Sequence, residues 1–181
     1  MEIIKGDKTA LVFGATGLIG SHLVEQLLRH NSYQKVKVFV RREMKIKHPK
    51  LVQHIIDFDK LLDYADLIEG DDLFCALGTT RAKAGSKEAF FKVDFTYVYE
   101  AARIGLSQGI NQFLLVSSVG ADPSSFFYYS QVKGEIEKAV KDLDYWGVHI
   151  FQPSLLLGER NENRFGEDVA KRIGKVFDKI T

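Results

Sequence analysis

Short apolar runs alternate with amphipathic stretches along most of this chain of 181 residues. The apolar runs are rich in β-branched and aromatic residues and end at turn-forming residues, which is typical of buried strands. Between them, apolar residues recur at helical spacing. The pattern predicts strands over residues 10–13, 36–40, 51–56, 73–77, 113–116 and 148–151, and helices over residues 18–28, 61–68, 87–107, 122–143 and 166–180.

This alternation of strand and helix predicts an α/β fold, a doubly wound parallel sheet with helices on both faces. Residues 1–181 are expected to form a single domain, with only a minimal substrate lobe after about residue 154. The loops that follow parallel strands lie on one rim of the sheet, where such folds bind ligands. The unusual polar residues and glycines of this chain fall in those loops.

Three glycines spaced three apart, Gly14, Gly17 and Gly20, follow the first predicted strand and open the first predicted helix. In this setting the first glycine makes the turn, the second lets the backbone approach a pyrophosphate, and the third lets helix and strand pack closely. N–H groups at the helix start then face the phosphates. The alternative is a glycine-rich turn without a ligand. The predicted phosphate site comprises Gly14, Thr16, Gly17, Leu18, Ile19 and Gly20.

The second predicted strand ends at Arg41 and Arg42, where NAD-binding members of this architecture carry an acidic residue for the ribose 2′-hydroxyl. A guanidinium can pair with a 2′-phosphate in bidentate fashion, so the sequence predicts NADP(H) over NAD(H). The alternative is a solvated pair of arginines at a strand end. Asp57 and Phe58 are assigned to the adenine, through a hydrogen bond and an apolar wall. The remaining predicted cofactor-binding residues are Leu77, Gly78, Thr79, Lys133 and Pro153.

Tyr129 and Lys133 lie four residues apart and share one face of a predicted helix, and Ser117 ends the preceding predicted strand. A carbonyl that accepts hydride needs a proton, which a tyrosine hydroxyl can donate when a nearby ammonium lowers its pKa from about 10. A serine hydroxyl can orient the carbonyl. We therefore predict Tyr129 and Lys133 as catalytic residues, together with one of the two serines, Ser117 or Ser118. The competing residues are Tyr128 and Ser118, and strand alternation lets just one of the two serines face the site.

Several motifs, in chain order, resemble those of the Tat-interacting, tumour-suppressor-like proteins among the atypical short-chain dehydrogenase/reductases. They are the glycine motif, residues 74–85, Val93-Asp94, Ser117-Ser118 with residues 120–122, residues 129–135, and residues 158–160 through 166–167. The resemblance implies a Rossmann fold, NADPH binding and an oxidoreductase role. It also favours Ser117 over Ser118 as the catalytic serine beside Tyr129 and Lys133. In the animal proteins it also implies regulation by protein partners.

The chain departs from that family pattern at three places. Asp94 stands where many reductases of the superfamily have an asparagine that supports a proton relay. Ser154 follows Pro153, where a glycine is usual near the nicotinamide amide. The chain stops at Thr181, whereas relatives continue with further strands and helices. The proton relay is therefore not carried over from the resemblance.

Composition narrows the expected partners. The net charge of +1 offers no strong field for nucleic acid or membranes, no apolar run approaches transmembrane length, and the first residues do not form a signal-peptide pattern. The single cysteine, Cys75, excludes an internal disulfide, so we predict a cytoplasmic location. The five histidines show no metal-ligand spacing, so no metal is predicted. The expected partner is a small-molecule substrate, and a homodimer is a candidate assembly.

The sequence thus predicts an NADPH-dependent carbonyl reductase without naming its substrate. One alternative is an NADP(H)-binding regulatory or assembly protein that turns over no metabolite. The other is an isomerase or epimerase whose cofactor is reduced and reoxidised in place. Four cations in predicted loops either meet an anionic group or are solvated: Arg81, Lys83, Arg160 and Arg164.

Overall fold

The computed structural model describes residues 6–154. Six parallel strands form one sheet with the order β3-β2-β1-β4-β5-β6. The predicted doubly wound α/β fold is therefore confirmed. The strands are β1 Lys8–Phe13, β2 Tyr33–Val40, β3 Leu51–Ile55, β4 Asp72–Cys75, β5 Gln112–Val116 and β6 Gly147–Phe151.

Helices connect most of these strands. A 3-10 segment over Phe58–Leu67 joins β3 to β4, and a π-helical turn over Lys92–Thr96 links α3 to α4. The helical stretch predicted over residues 87–107 is thus present, with Ser86 capping its first turn by accepting the N–H of Ala89 at 3.0 Å. The α-helices are α1 Leu18–Arg29, α2 Arg81–Ala84, α3 Lys87–Phe91, α4 Tyr97–Ser107 and α5 Tyr128–Lys141.

The two faces of the sheet bury different side chains because residues alternate along each strand. Ala10 and Val12 of β1 face α1, in one apolar cluster with Val24 and Leu28 of that helix. The opposite face carries the larger cluster, which includes α4 and α5. Its strand residues include Leu11, Phe13, Leu73, Phe113 and Leu115. The same alternation determines which helix each side chain at a strand end faces.

The predicted start of helix α5 is wrong. Helix α5 begins at Tyr128 instead of residue 122, because Asp122 closes a local turn. Its Oδ1 accepts the N–H of Ser124 at 2.8 Å and the hydroxyl of Ser124 at 2.7 Å. Short polar side chains can hydrogen-bond the nearby backbone in this way and so compete with helix formation. The short helix α2 is a further feature that the pattern did not predict.

Several predictions concern residues outside the described range. They are the helix over residues 166–180, the substrate lobe after about residue 154, the motif residues from 158 to 167, and the loop cations Arg160 and Arg164.

Candidate functional site

The glycine turn after β1 is a close contact between backbones. Gly14 has a φ of +82°, a conformation that L side chains rarely adopt, and a Cβ there would lie 2.5 Å from the carbonyl carbon of Ala76. The N–H of Gly17 closes the turn on the Gly14 carbonyl at 3.0 Å. A Cβ on Gly20 would lie 2.1 Å from that same carbonyl oxygen. Gly14 and Gly20 therefore pack β1, α1 and the end of β4 together.

The start of α1 is left open for a ligand. Gly17 is the N-cap residue, it has no side chain with which to cap the helix, and the first turn carries no acidic residue. Thr16 is exposed beside it, while Leu18 and Ile19 are half-buried. The N-terminal end of a helix favours negative charge, so this turn fits a dinucleotide phosphate.

The end of β2 presents two cations to solvent. Arg41 and Arg42 directly follow Val40, and both are exposed. Both guanidinium groups stand on the ligand-binding rim of the sheet, as the strand pattern predicts.

Asp57 and Phe58, at the end of β3, differ from each other in exposure. Asp57 is exposed and its Oδ1 accepts the N–H of Asp59 at 3.0 Å. Phe58 is only 8% exposed, and its ring packs against Phe13 and Tyr97 with centroid distances of 6.3 and 5.4 Å. The ring belongs to the core and does not stand open at the rim as the expected apolar wall.

A buried ion pair joins α5 to the π-helical turn. The Nζ of Lys133 lies 2.7 Å from Oδ1 of Asp94, and the side chains are 5% and 0% exposed. Oδ2 of Asp94 accepts the N–H of Thr79 at 2.8 Å. A Cβ on Gly78 would lie 3.3 Å from Asp94 Oδ1 and 3.5 Å from Lys133 Nζ. The loop after β4 therefore runs directly over this pair.

Burial dominates the electrostatics around the pair. It raises the pKa of Asp94 above its usual value, although the Lys133 ammonium and the Thr79 N–H act in the opposite direction. Burial also raises the pKa of the Cys75 thiol to about 12, so this cysteine is a core residue and not a nucleophile.

The two candidate serines have different surroundings. Ser117 is buried and follows Phe113 and Leu115 in the strand alternation, so it points to the face that α5 covers. Its Oγ has no hydrogen-bond partner within residues 6–154. Ser118 is half-buried, and its hydroxyl donates to the carbonyl of Val119 at 3.3 Å. A buried hydroxyl without a protein partner is uncommon, and it is available to a ligand.

The two candidate tyrosines also differ. Tyr128 donates its hydroxyl to the carbonyl of Lys87 at 3.1 Å, and burial raises its pKa. Tyr129 lies one residue further along α5, its side chain is 39% exposed, and its ring sits 5.7 Å from that of Phe90. Tyr129 is one helical turn before Lys133, on the same side of α5.

Leu77 is half-buried and lies in the loop after β4, directly before Gly78. Pro153 lies beyond β6 and accepts the N–H of Val119 at 3.1 Å through its carbonyl. Together with Ile19 and Cys75 it lines an open apolar groove of about 640 Å³. Ile19 at the start of α1 and Pro153 after β6 therefore line the same groove.

The contact of Asp94 with Lys133 was not predicted from the sequence. Asp94 was notable there only as a departure from a family pattern, although it is a lone carboxylate in the aromatic stretch from Phe90 to Tyr99. An aspartate that is fully buried is almost always paired.

The part of the chain that the structure describes contains neither a metal-binding cluster nor a membrane-spanning helix. Within residues 6–154 there is no group of three or more His, Cys, Asp and Glu side chains that could hold a metal. In the same range, no helix has both the length and the apolar character needed to span a bilayer.

The fold and the open glycine turn define a dinucleotide-binding protein of the Rossmann type. Residues 14–164 match the model of an NAD(P)H-binding family. The chain is 39% identical over 170 residues to protein HTATIP2 of Rattus norvegicus, which covers 92% of this chain and 70% of that protein. It is also 33% identical over 180 residues to the mitochondrial protein FMP52 of Candida glabrata, covering 94% of this chain and 74% of that protein. The chain belongs to the NAD(P)H-binding atypical short-chain dehydrogenase/reductase family.

Solved structures show the same fold at low identity. The enzyme WbmH of Bordetella bronchiseptica, in complex with NAD+, superposes with a TM-score of 0.74 and 15% identity, covering 93% of this chain. This chain spans 63% of the length of WbmH. The protein MoeE5, in complex with UDP-glucose and NAD, gives a TM-score of 0.66 and 19% identity, over 80% of this chain and 53% of MoeE5.

Proposed function

We propose that this protein is an NADPH-dependent oxidoreductase that reduces a carbonyl group of a small molecule. The observation that carries the proposal is the buried hydroxyl of Ser117, on the sheet face covered by α5, which has no hydrogen-bond partner within residues 6–154. That helix also carries Tyr129, partly exposed, one turn before Lys133. A serine hydroxyl that orients a carbonyl and a tyrosine phenol that donates a proton are the groups that carbonyl reduction needs.

We further propose NADP(H) as the cofactor. Arg41 and Arg42 are both exposed at the end of β2, where a 2′-phosphate on the adenosine ribose would meet two guanidinium groups. The open N-terminus of α1 would hold the pyrophosphate, and Lys133 beside Gly78 would hold the nicotinamide ribose.

Held by these residues, NADPH would supply the hydride for the carbonyl carbon. Ser117 donates a hydrogen bond to the carbonyl oxygen and so fixes the carbonyl and stabilises the developing negative charge. Tyr129 transfers its hydroxyl proton to that oxygen, so the tyrosine O–H bond breaks as the alcohol O–H bond forms. The phenolate oxygen of Tyr129 then regains a proton from solvent. The products are an alcohol and NADP+.

The test is NADPH oxidation across a panel of aldehydes and ketones, with Tyr129→Phe compared with Tyr128→Phe. We expect Tyr129→Phe to lower kcat by about 100-fold or more, because it removes the proton donor. Tyr128→Phe deletes a hydroxyl from the neighbouring residue and is the matched control, with an expected change below about threefold. A rate that survives Tyr129→Phe would leave the NADP(H)-binding regulatory protein as the better assignment.

We also propose a cytoplasmic location, as the single cysteine predicts. The FMP52 relatives are mitochondrial proteins by name. Cell fractionation with a tagged full-length chain tests this, and enrichment in mitochondria would contradict it.

A further inference from the structure

The Lys133 side chain is held by a carboxylate before any ligand binds. Its Nζ lies 2.7 Å from Asp94, and the Asp94 side chain is fully buried on the π-helical turn. The second oxygen of that carboxylate is held by the Thr79 N–H at 2.8 Å. Asp94 therefore fixes the ammonium at the loop after β4, where Gly78 leaves space above it.

The same carboxylate offsets the charge of the ammonium. The two charges lie 2.7 Å apart, and they act on the pKa of the nearby Cys75 thiol in opposite directions, Lys133 lowering it and Asp94 raising it. A lysine in such a pair projects much less net positive charge into the site than a free lysine would. This matters for a nicotinamide cofactor, because its ring is positively charged when oxidised and neutral when reduced.

We propose that Asp94 is a positioning residue that holds Lys133 toward the cofactor and offsets its charge, so that the site binds the oxidised and reduced cofactors with similar affinity. The inference rests on the proposed function, since it requires Lys133 to lie at the nicotinamide end of the bound cofactor. Without the carboxylate, the free ammonium would repel the cationic ring of NADP+ and leave the neutral ring of NADPH almost unaffected.

The experiment compares the Kd values of NADP+ and NADPH, measured by calorimetry, for the wild type and for Asp94→Asn. We expect the ratio of the NADP+ Kd to the NADPH Kd to rise about tenfold in the variant, which corresponds to one like-charge repulsion in a partly screened site. Asp94→Glu keeps the negative charge and is expected to retain a ratio near that of the wild type. No turnover is needed for either measurement.

Asp72→Asn is the matched control. Asp72 is also a buried aspartate paired with a lysine, at 3.0 Å from Lys8, but it begins β4, whereas the site lies beyond the end of that strand. We expect a loss of stability and an unchanged Kd ratio. If Asp94→Asn weakens both cofactors equally, the role of Asp94 is merely structural and the inference is refuted.

The double variant Asp94→Asn with Lys133→Met provides a second measurement if Asp94→Asn alone does not fold, because it leaves no unpaired buried charge. Because the wild-type pair projects little net charge, removal of both charges is expected to weaken both cofactors while changing their Kd ratio by less than about threefold. A shift of about tenfold in favour of NADP+ would show that the ammonium is not offset. A wild-type protein that binds neither form would refute the proposed function, and with it this inference.

Discussion

At the scale of single residues, the glycine turn after β1 depends on positions where no side chain fits. A Cβ on Gly14 would meet the backbone of Ala76 at 2.5 Å, and the φ of +82° adds strain of its own. Backbone atoms cannot move aside as the tip of a flexible side chain can. Gly14 therefore positions the phosphate turn by close packing as well as by its backbone conformation.

The comparison of Gly14→Ala with Gly109→Ala separates these two effects. Gly109 has a φ of +79° but nothing within 4 Å of its virtual Cβ, so its variant is expected to cost only about 1–2 kcal/mol of conformational strain. Gly14→Ala is expected to cost at least about 2 kcal/mol more, because the clash adds to the strain. Urea unfolding measures both, and equal losses would show that the contact with Ala76 relaxes freely.

Ser117 predicts an unusual separation of activity from stability. Its buried hydroxyl has no partner within the described residues, so Ser117→Ala removes a group that contributes little to folding. We expect an unchanged or slightly higher free energy of unfolding and a fall in kcat of about 100-fold. Ser118→Ala is the matched control and should leave kcat within about threefold. Equal kcat values for the two variants would contradict the assignment of Ser117.

At the scale of elements, the strands were predictable because their apolar runs face two covered sides of one sheet. The 87–107 stretch was also predicted as one helix, but its π-helical turn at Lys92–Thr96 was not. A π turn adds one residue to a helical turn and leaves only a small phase change in the pattern. It is nonetheless this turn that carries Asp94 to Lys133, so the geometry of the site depended on the part of the helix that the sequence did not reveal.

At the start of α5 the sequence predicted helix that the structure does not have. Asp122-Pro123-Ser124-Ser125 has the composition of a helix N-terminus, yet these residues form a turn that packs on α5. A Cβ on Gly134 of α5 would lie 2.2 Å from the Pro123 nitrogen. The turn at residues 122–125 therefore packs against Gly134, eleven residues after Pro123, and no local sequence pattern contains this contact.

Gly134→Ala tests that contact. Alanine favours a helix interior by about 1 kcal/mol over glycine, so propensity alone predicts stabilisation. We expect a loss of about 2 kcal/mol instead, because the new methyl displaces the 122–123 backbone. Lys138→Ala, at an exposed position of the same helix, is the control and should change stability by less than about 0.5 kcal/mol. Stabilisation of Gly134→Ala by urea unfolding would show that the turn moves away without cost.

At the scale of the whole molecule, cofactor binding and folding are one equilibrium. The candidate cofactor site takes its residues from the turn after β1, the ends of β2 and β3, the loops after β4 and β6, and helix α5. It is therefore present only in the folded chain. A ligand that binds only the native state stabilises it by about 2.7 kcal/mol at a concentration of 100 times its Kd. The melting temperature of the entire protein thus reports which dinucleotide the rim prefers.

We expect NADPH to raise the melting temperature more than NADH at equal concentration, because only NADPH carries a 2′-phosphate for Arg41 and Arg42. The double variant Arg41→Ser with Arg42→Ser should lose the NADPH shift and keep whatever shift NADH produces. The double variant Arg29→Ser with Lys35→Ser removes the same charge from two exposed positions, the end of α1 and the first half of β2. It should leave the preference for NADPH intact. This control changes the net charge by the same amount as the Arg41 and Arg42 variant. If the rise in melting temperature with NADPH falls for both double variants, the preference for NADPH comes from the overall electrostatic field of the protein. A fall confined to Arg41 and Arg42 would assign it to a specific 2′-phosphate contact.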